Sequence, residues 1–74
     1  MHVAIKCFAT LASHQPASGF LELPDGATVA QAVAALDLAA ADVCIILVNG
    51  KTAHLNSSLH EGDRLSLLPL ISGG

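Results

Sequence analysis

The chain has 74 residues, of which 53% are apolar and only 12% are charged, and its formal net charge is -3. The fixed cations Lys6, Lys51 and Arg64 and the two aromatic residues Phe8 and Phe20 are too few for a phosphate-binding surface with stacking platforms, which argues against nucleic-acid binding. A chain this short forms one domain at most, and no apolar run approaches the roughly 20 residues that span a bilayer.

The first eight residues alternate between apolar and other side chains and include a lysine, and they lack the long apolar region of a signal peptide. We therefore expect a cytoplasmic protein. So few charged residues cannot cover the surface of even a small domain, and exposed apolar patches often mark sites where a partner binds. The composition thus favours a protein that docks onto others.

Two short strands are predicted near the start of the chain. Residues 2–8 have a period of two that places Val3, Ile5 and Cys7 on one face, and the alternation resumes at residues 20–23. Residues 9–19 contain Ser, Pro and Gly and therefore predict a connecting loop. These two strands can pair as a hairpin.

A helix is predicted to begin at Thr28. Thr28 and Gln31 have the spacing of a capping box, in which each side chain satisfies the backbone N–H of the other residue. Val29, Val33 and Leu36 then recur at the helical spacing, so one apolar stripe faces the core. The intervening alanines favour the helix without adding bulk.

Three more strands are predicted in the second half of the chain. Residues 43–48 form a continuous apolar run, which we interpret as a central buried strand, and Asn49-Gly50 favours a type I′ hairpin into a short strand at residues 51–54. Residues 64–69 predict a last strand that Pro69 either terminates or leaves at the edge of the sheet. We expect one core that contains Ile5, Val29, Val33, Leu36, Leu47 and Leu65.

Two hairpins around one helix predict an α+β fold in which the helix covers one face of a mixed sheet of four to five strands. The β-grasp, or ubiquitin-like, fold satisfies this order. It requires the first and last strands to lie side by side in parallel. We assign the β-grasp domain to residues 1–70 and a flexible C-terminal tail to residues 71–74.

Other groups with potential chemistry have simpler explanations. Cys7 and Cys44 lie inside apolar runs, so we interpret them as buried small hydrophobic residues rather than a disulfide or a metal site. The four histidines share no ligand spacing, so no metal site is predicted and we expect all four at the surface. The carboxylates Asp25, Glu61 and Asp63 adjoin turn glycines, where they commonly bond the local backbone.

Three segments resemble the MoaD/ThiS family of ubiquitin-like sulfur carriers, and the resemblance extends along nearly the whole chain. The first is Leu21-Glu22-Leu23-Pro24-Asp25-Gly26-Ala27-Thr28-Val29, and the second is Val48-Asn49-Gly50. The third and most specific runs from Leu59-His60-Glu61-Gly62-Asp63-Arg64-Leu65 through Leu67-Leu68-Pro69 to Ser72-Gly73-Gly74. The ending is closer to MoaD, the small subunit of molybdopterin synthase, although members of that branch commonly have two consecutive prolines before the tail.

The resemblance implies that the carboxylate of Gly74 is the reactive group, at the end of an arm that includes Ser72 and Gly73. Two terminal glycines arise by chance in roughly one sequence in 200, and glycine lets a backbone enter a narrow cleft. An E1-like adenylating enzyme of the MoeB/ThiF type would activate the carboxylate with ATP and magnesium. A sulfur donor such as a cysteine desulfurase or rhodanese would convert it to a thiocarboxylate, and the molybdopterin synthase large subunit would accept the sulfur.

In this scheme the chain is a carrier that binds no cofactor, and it is not a complete enzyme. Alternation along the last strand places Leu68 and Leu70 opposite Leu65 and Leu67. We expect a docking patch of Phe8, Leu68, Pro69, Leu70 and Ile71 beside the tail. Simple packing of an edge strand is the alternative explanation for these apolar side chains.

Three other functions stay open. A carrier of the ThiS type would supply sulfur to thiamine thiazole synthesis or to another pathway. A ubiquitin-like modifier would join the same Gly74 carboxylate to lysines of other proteins. A β-grasp interaction module would use the glycine pair for no chemistry.

Overall fold

The computed structural model describes residues 1–69, so the predicted tail and the boundary at residue 70 lie outside the described residues. The strands are β1 (His2–Cys7), β2 (Phe20–Glu22), β3 (Ile45–Val48), β4 (Lys51–Thr52) and β5 (Arg64–Leu68), and the helix is α1 (Val29–Ala35). Two short 3₁₀ segments span Ala9–His14 and Ala40–Asp42. None of the helices in residues 1–69 is long and apolar enough to cross a membrane.

The five strands form one mixed sheet in the order β2-β1-β5-β3-β4. β1 and β5 pair in parallel, with Ile5 opposite Leu65 and Cys7 opposite Leu67, whereas every other neighbouring pair is antiparallel. The predicted adjacency of the first and last strands is therefore confirmed. The chain has the β-grasp fold.

The helix begins where the capping box predicts. The Thr28 side chain accepts a hydrogen bond from the Gln31 N–H at 3.4 Å, and the Gln31 side chain accepts one from the Thr28 N–H at 2.9 Å. Val29 and Val33 are buried, and they belong to one core with Val3, Ile5, Leu65 and Leu67 from the two central strands. Leu36, the C-cap residue, completes the predicted stripe and is also buried.

The predicted turn between β3 and β4 is also present. Asn49 has a φ of 54° and Gly50 a φ of 82°, which is the pair of left-handed conformations that a type I′ turn needs. β4 is shorter than predicted because its pairing with β3 covers only Lys51 and Thr52. β5 ends at Leu68, so Pro69 terminates it as predicted, and the alternative of an edge strand is wrong because β5 lies between β1 and β3.

The prediction for the third strand was wrong in three respects. β3 begins at Ile45, and it lies between β5 and β4 instead of at the centre of the sheet. Ile46 is the buried residue, because it pairs with Leu67 on the inner face of β5, whereas Leu47 pairs with Ser66 and stays half-buried outside the core. Cys44, which precedes the strand, is exposed, so the prediction that both cysteines are buried was wrong for Cys44 and holds for Cys7.

The connection between β1 and β2 contains an element that the sequence did not predict. Ala9 has a φ of 52° and turns the chain into the 3₁₀ segment Ala9–His14. Leu11 from this segment is buried in the core. The Gln15 side chain then bonds back to β1, accepting from the Cys7 N–H and donating to the Ile5 carbonyl, both at 2.8 Å.

Candidate functional site

The site begins where β5 leaves the sheet, because β5 is the strand that leads to Gly74. Its inner-face residues Leu65 and Leu67 are fully buried, while Ser66 and Leu68 point to the outer face and are half-buried. Two neighbouring strands hold β5 in place along its length. The last described residues are therefore anchored at the centre of the sheet, not at its edge.

An apolar row crosses the outer face at this end of β5. Leu68 pairs with Ile45 of β3, which is 46% exposed. On the other side Phe8 follows Cys7, the partner of Leu67, and its N–H donates to the Leu67 carbonyl at 3.1 Å. Phe8 is 38% exposed. We call Phe8, Leu68 and Ile45 the outer row.

Two cations lie beside the outer row. Lys6 is opposite Ser66, and its Nζ lies 5.7 Å from the centre of the Phe8 ring, within the range of a cation–π contact. Arg64 is opposite Ala4 on the same face. Two of the three fixed cations of this acidic chain therefore share the outer face with the apolar residues.

The predicted docking residues separate in the structure. Phe8 and Leu68 come together on the outer face, but Pro69 is buried on the opposite side of the strand. Leu70, Ile71, Ser72, Gly73 and Gly74 lie outside the described residues. The sequence missed Ile45 because a continuous apolar run carries no alternation that would show which of its side chains face outward.

A groove opens on the opposite side, next to Pro69. It has a volume of about 500 Å³ and lies between the two 3₁₀ segments. The residues lining it are Thr10, Leu11, His14, Leu38, Ala41, Asp42 and Pro69. The Nδ1 atom of His14 lies 3.0 Å from the Leu36 carbonyl, so this nitrogen carries the proton and ties the first 3₁₀ segment to the end of α1.

The cysteines and histidines suggest no further centre. Burial raises the pKa of the Cys7 thiol, which makes it a weak nucleophile. Cys44 is exposed, but it belongs to no cluster of His, Cys, Asp or Glu side chains within residues 1–69. His2, His54 and His60 are exposed and His14 is half-buried. Within residues 1–69, no three His, Cys, Asp or Glu side chains cluster in a way that could hold a metal ion.

Solved structures of the same fold include SAMP1 from Haloferax volcanii. That protein is 27% identical to this chain and has a TM-score of 0.75 over 100% of both chains. A Pyrococcus furiosus protein described as a molybdopterin converting factor subunit 1 has a TM-score of 0.74 and 23% identity, with 96% of this chain and 99% of that one covered.

A third structure is a complex of subunits 1 and 2 of the molybdopterin-converting factor from Helicobacter pylori. Its matching chain is 25% identical, with a TM-score of 0.61 over 100% of both chains.

No curated protein sequence gives a significant match. The profile of the ThiS family matches residues 5–74, which is nearly the whole chain and includes the glycine pair. The chain therefore belongs to the ThiS family of ubiquitin-fold sulfur carriers.

Proposed function

We propose that this protein carries sulfur on the carboxylate of Gly74 and donates it in molybdopterin biosynthesis. The observation that carries the proposal is the family match, which covers residues 5–74 and so includes β5 and Gly74. The central strand of a stable sheet thus leads directly into the segment with the reactive group. The outer row beside this strand supplies a surface for the enzymes that act on the tail.

The chemistry needs a free carboxylate and enzymes that supply everything else. A terminal carboxylate is ionised at neutral pH, because its reference pKa is about 3.3 to 3.7. One of its oxygens attacks the α-phosphorus of ATP in an adenylating enzyme of the MoeB/ThiF type, and pyrophosphate leaves. A persulfide from the sulfur donor then attacks the carbonyl carbon and displaces AMP. A thiol reduces the resulting S–S bond, and this releases the thiocarboxylate.

The outer row is the proposed docking surface of the carrier. Phe8 and Ile45 expose apolar area that the fold does not need, and Leu68 joins them into a strip across three strands. Lys6 and Arg64 flank this strip, so a partner with an apolar centre and acidic margins would complement it. The complex of subunits 1 and 2 from Helicobacter pylori supports a synthase large subunit as one such partner.

Protein modification is the second candidate. The similarity to Haloferax volcanii SAMP1, a small archaeal modifier protein, favours it. Both functions begin with adenylation of Gly74. They differ in the group that then attacks the activated carboxylate, which is a sulfur atom for a carrier and a lysine amine for a modifier. The mass of the protein isolated from its own cells separates them. A carrier shows replacement of one carboxylate oxygen by sulfur, and a modifier appears as adducts on other proteins.

Deletion of Gly73 and Gly74 tests the proposed reactive end. The shortened chain should keep its melting temperature, because the core residues found in the described part of the chain, residues 1–69, run from Val3 to Leu67. It should lose pyrophosphate exchange with the cognate adenylating enzyme, since the remaining carboxylate ends about 7 Å short of its former position. An extension beyond Gly74 should act in the same way by masking the carboxylate. Undiminished exchange in either variant would contradict the carrier function.

A further inference from the structure

The turn between β3 and β4 contains a pair of residues with a reaction of its own. Asn49 is followed by Gly50, and both residues are exposed. Because glycine has no Cβ, its backbone nitrogen can approach the side chain of the preceding residue with little hindrance. Apart from the chain neighbours, no heavy atom lies within 4 Å of the position that a Cβ would take at Gly50. An asparagine in such an open turn is prone to lose its side-chain amide.

The loss of the amide needs only water and involves no oxidation or reduction. The Gly50 backbone nitrogen gives up its proton and forms a bond to the side-chain carbonyl carbon of Asn49. The bond from this carbon to the amide nitrogen breaks, and ammonia leaves with the proton. Water then opens the cyclic imide at one of its two carbonyls, and this yields aspartate or isoaspartate at position 49.

Two hydrogen bonds of the folded protein oppose this reaction. Asn49 Nδ2 donates to Asp63 Oδ1, and Asn49 Oδ1 accepts from the Arg64 N–H, both at 2.9 Å. The Asn49 N–H also donates to the Arg64 carbonyl at 2.8 Å, so the backbone is fixed as well as the side chain. Ring closure turns the face of the side-chain carbonyl toward the Gly50 nitrogen and releases Nδ2. The two side-chain bonds must therefore open before the ring can close.

We propose that Asn49 is a deamidation site that stays closed in the folded protein and opens when the turn after β3 separates from the turn before β5. Unfolding, or local release of Asp63 and Arg64, frees the Asn49 side chain for attack by the Gly50 nitrogen. The inference goes beyond the proposed function and is independent of it, because it involves only these two turns and water.

The products cannot restore the contact between the two turns. An aspartate at position 49 has no amide hydrogen to donate, so two carboxylates would meet where the bond to Asp63 had been, and like charges repel. Isoaspartate also adds a carbon to the backbone of a two-residue turn, in which Asn49 and Gly50 have φ values of 54° and 82°. The length of this turn sets the register of β3 and β4. A chain that has once opened and reacted is therefore permanently less stable.

Storage of the full chain at neutral pH, with and without urea, tests the closed state. Cleavage after lysine releases residues 7–51, in which Asn49 is the only asparagine. Mass spectrometry of this peptide then measures the mass increase that accompanies replacement of the amide nitrogen by oxygen. Deamidation without urea should be at least about tenfold slower, because two hydrogen bonds must open first. An equal rate would overturn the proposal. A faster rate would also overturn it, because the bond from Arg64 would then activate the carbonyl for attack.

A matched pair of variants tests the role of the Asp63 carboxylate. Asp63→Ala removes the acceptor of the Nδ2 bond and should raise the rate without urea toward the rate in urea. Asp42→Ala removes an exposed carboxylate from another part of the chain and should leave the rate unchanged. Circular dichroism shows whether each variant is folded, and the comparison with and without urea needs no variant. Equal rates in the two folded variants would reject Asp63 as the group that closes the site.

A second pair tests the consequence of deamidation. Asn49→Asp reproduces one product and should lower the melting temperature by at least about 4 °C. Asn56→Asp makes the same change at an exposed position in the loop after β4 and should have almost no effect. Equal melting temperatures for these two variants would contradict the loss of the contact between the turns.

Discussion

The side-chain amide of Asn49 donates a hydrogen bond to the Asp63 carboxylate at 2.9 Å and so joins the turn after β3 to the turn before β5. The second polar atom of each side chain also forms a hydrogen bond. Asn49 Oδ1 accepts from the Arg64 N–H at 2.9 Å, and Asp63 Oδ2 accepts from the His60 N–H at 2.8 Å. These bonds fix the start of the strand that leads to the tail.

Asp63 should make stability depend on pH in the acid range. Partial burial raises the pKa of its carboxyl, but hydrogen bonds from Asn49 and His60 outweigh this effect and hold the pKa below its usual value. The folded state thus favours the ionised form. This contribution to stability is present above the ordinary pKa and is lost as the pH falls through the lowered one.

Urea unfolding from about pH 7 to about pH 3 checks this prediction. Asp63→Asn should lose about 1 to 3 kcal/mol of stability near neutral pH, because the bonds it weakens involve a charged acceptor. The loss should shrink in acid. The same change at Asp37, an exposed carboxylate, is the control and should have little effect at either pH. If Asp63→Asn lost the same amount of stability at both pH values, the charge of Asp63 would not contribute to stability.

Leu36 and Leu47 should respond differently to truncation, although the sequence assigned both to the core. Leu36 is 8% exposed and lies in the core cluster, so Leu36→Ala should lower the free energy of unfolding by about 2 to 5 kcal/mol. Leu47 is half-buried on the outer face, and Leu47→Ala should cost clearly less. Chemical denaturation of the two variants measures both values. A loss under about 0.5 kcal/mol at Leu36 would contradict its place in the core.

The contrast between these two leucines shows what the sequence could predict. Periodicity placed Val3, Ile5 and Cys7 correctly, and the capping box placed the start of α1, because each is a local pattern with a physical cause. The run at residues 43–48 has no alternation, so its inner face depends on pairing with β5, which is distant in sequence. The 3₁₀ segment Ala9–His14 also lacks a local signal, because a left-handed alanine begins it.

Prediction of the site was limited in the same way. Alternation with core residues correctly placed Phe8 and Leu68 on the outer face, and their role in docking stays a prediction. The sequence could not identify Ile45, whose exposure follows from its position opposite Leu68. It also placed Pro69 with the docking residues, whereas the proline is buried beside the groove.

The two cysteines should differ in reactivity. Cys44 is exposed, and Cys7 is buried with a raised pKa. Alkylation of the native protein should therefore modify the exposed Cys44 readily and should modify Cys7 only after unfolding. Mass spectrometry of Cys44→Ser, in which Cys7 alone remains, separates the sites. Rapid alkylation of this variant in the native state would contradict the burial of Cys7.

Ile45 should matter for binding and not for folding. Ile45→Asp places a negative charge in the outer row at a side chain that is 46% exposed, so the stability should change little. Its affinity for the adenylating enzyme should fall at least tenfold, because a charge would enter an apolar contact. The same substitution at Leu55, an exposed leucine in the loop after β4, is the control. Equal affinities for the Ile45 and Leu55 variants would exclude the outer row from the interface.

The parallel pairing of β1 with β5 also affects how the chain acquires its structure. Ile5 and Cys7 are made early during synthesis, but one of the two strands that pair with β1 consists of residues 64–68. Contacts between such distant segments carry a large loop-closure cost and slow folding, so helix and hairpin can form early while the sheet closes late. A nascent or truncated chain without β5 lacks the middle of its sheet. The sheet can therefore close only after β5, the strand that leads into residues 70–74, has been synthesised.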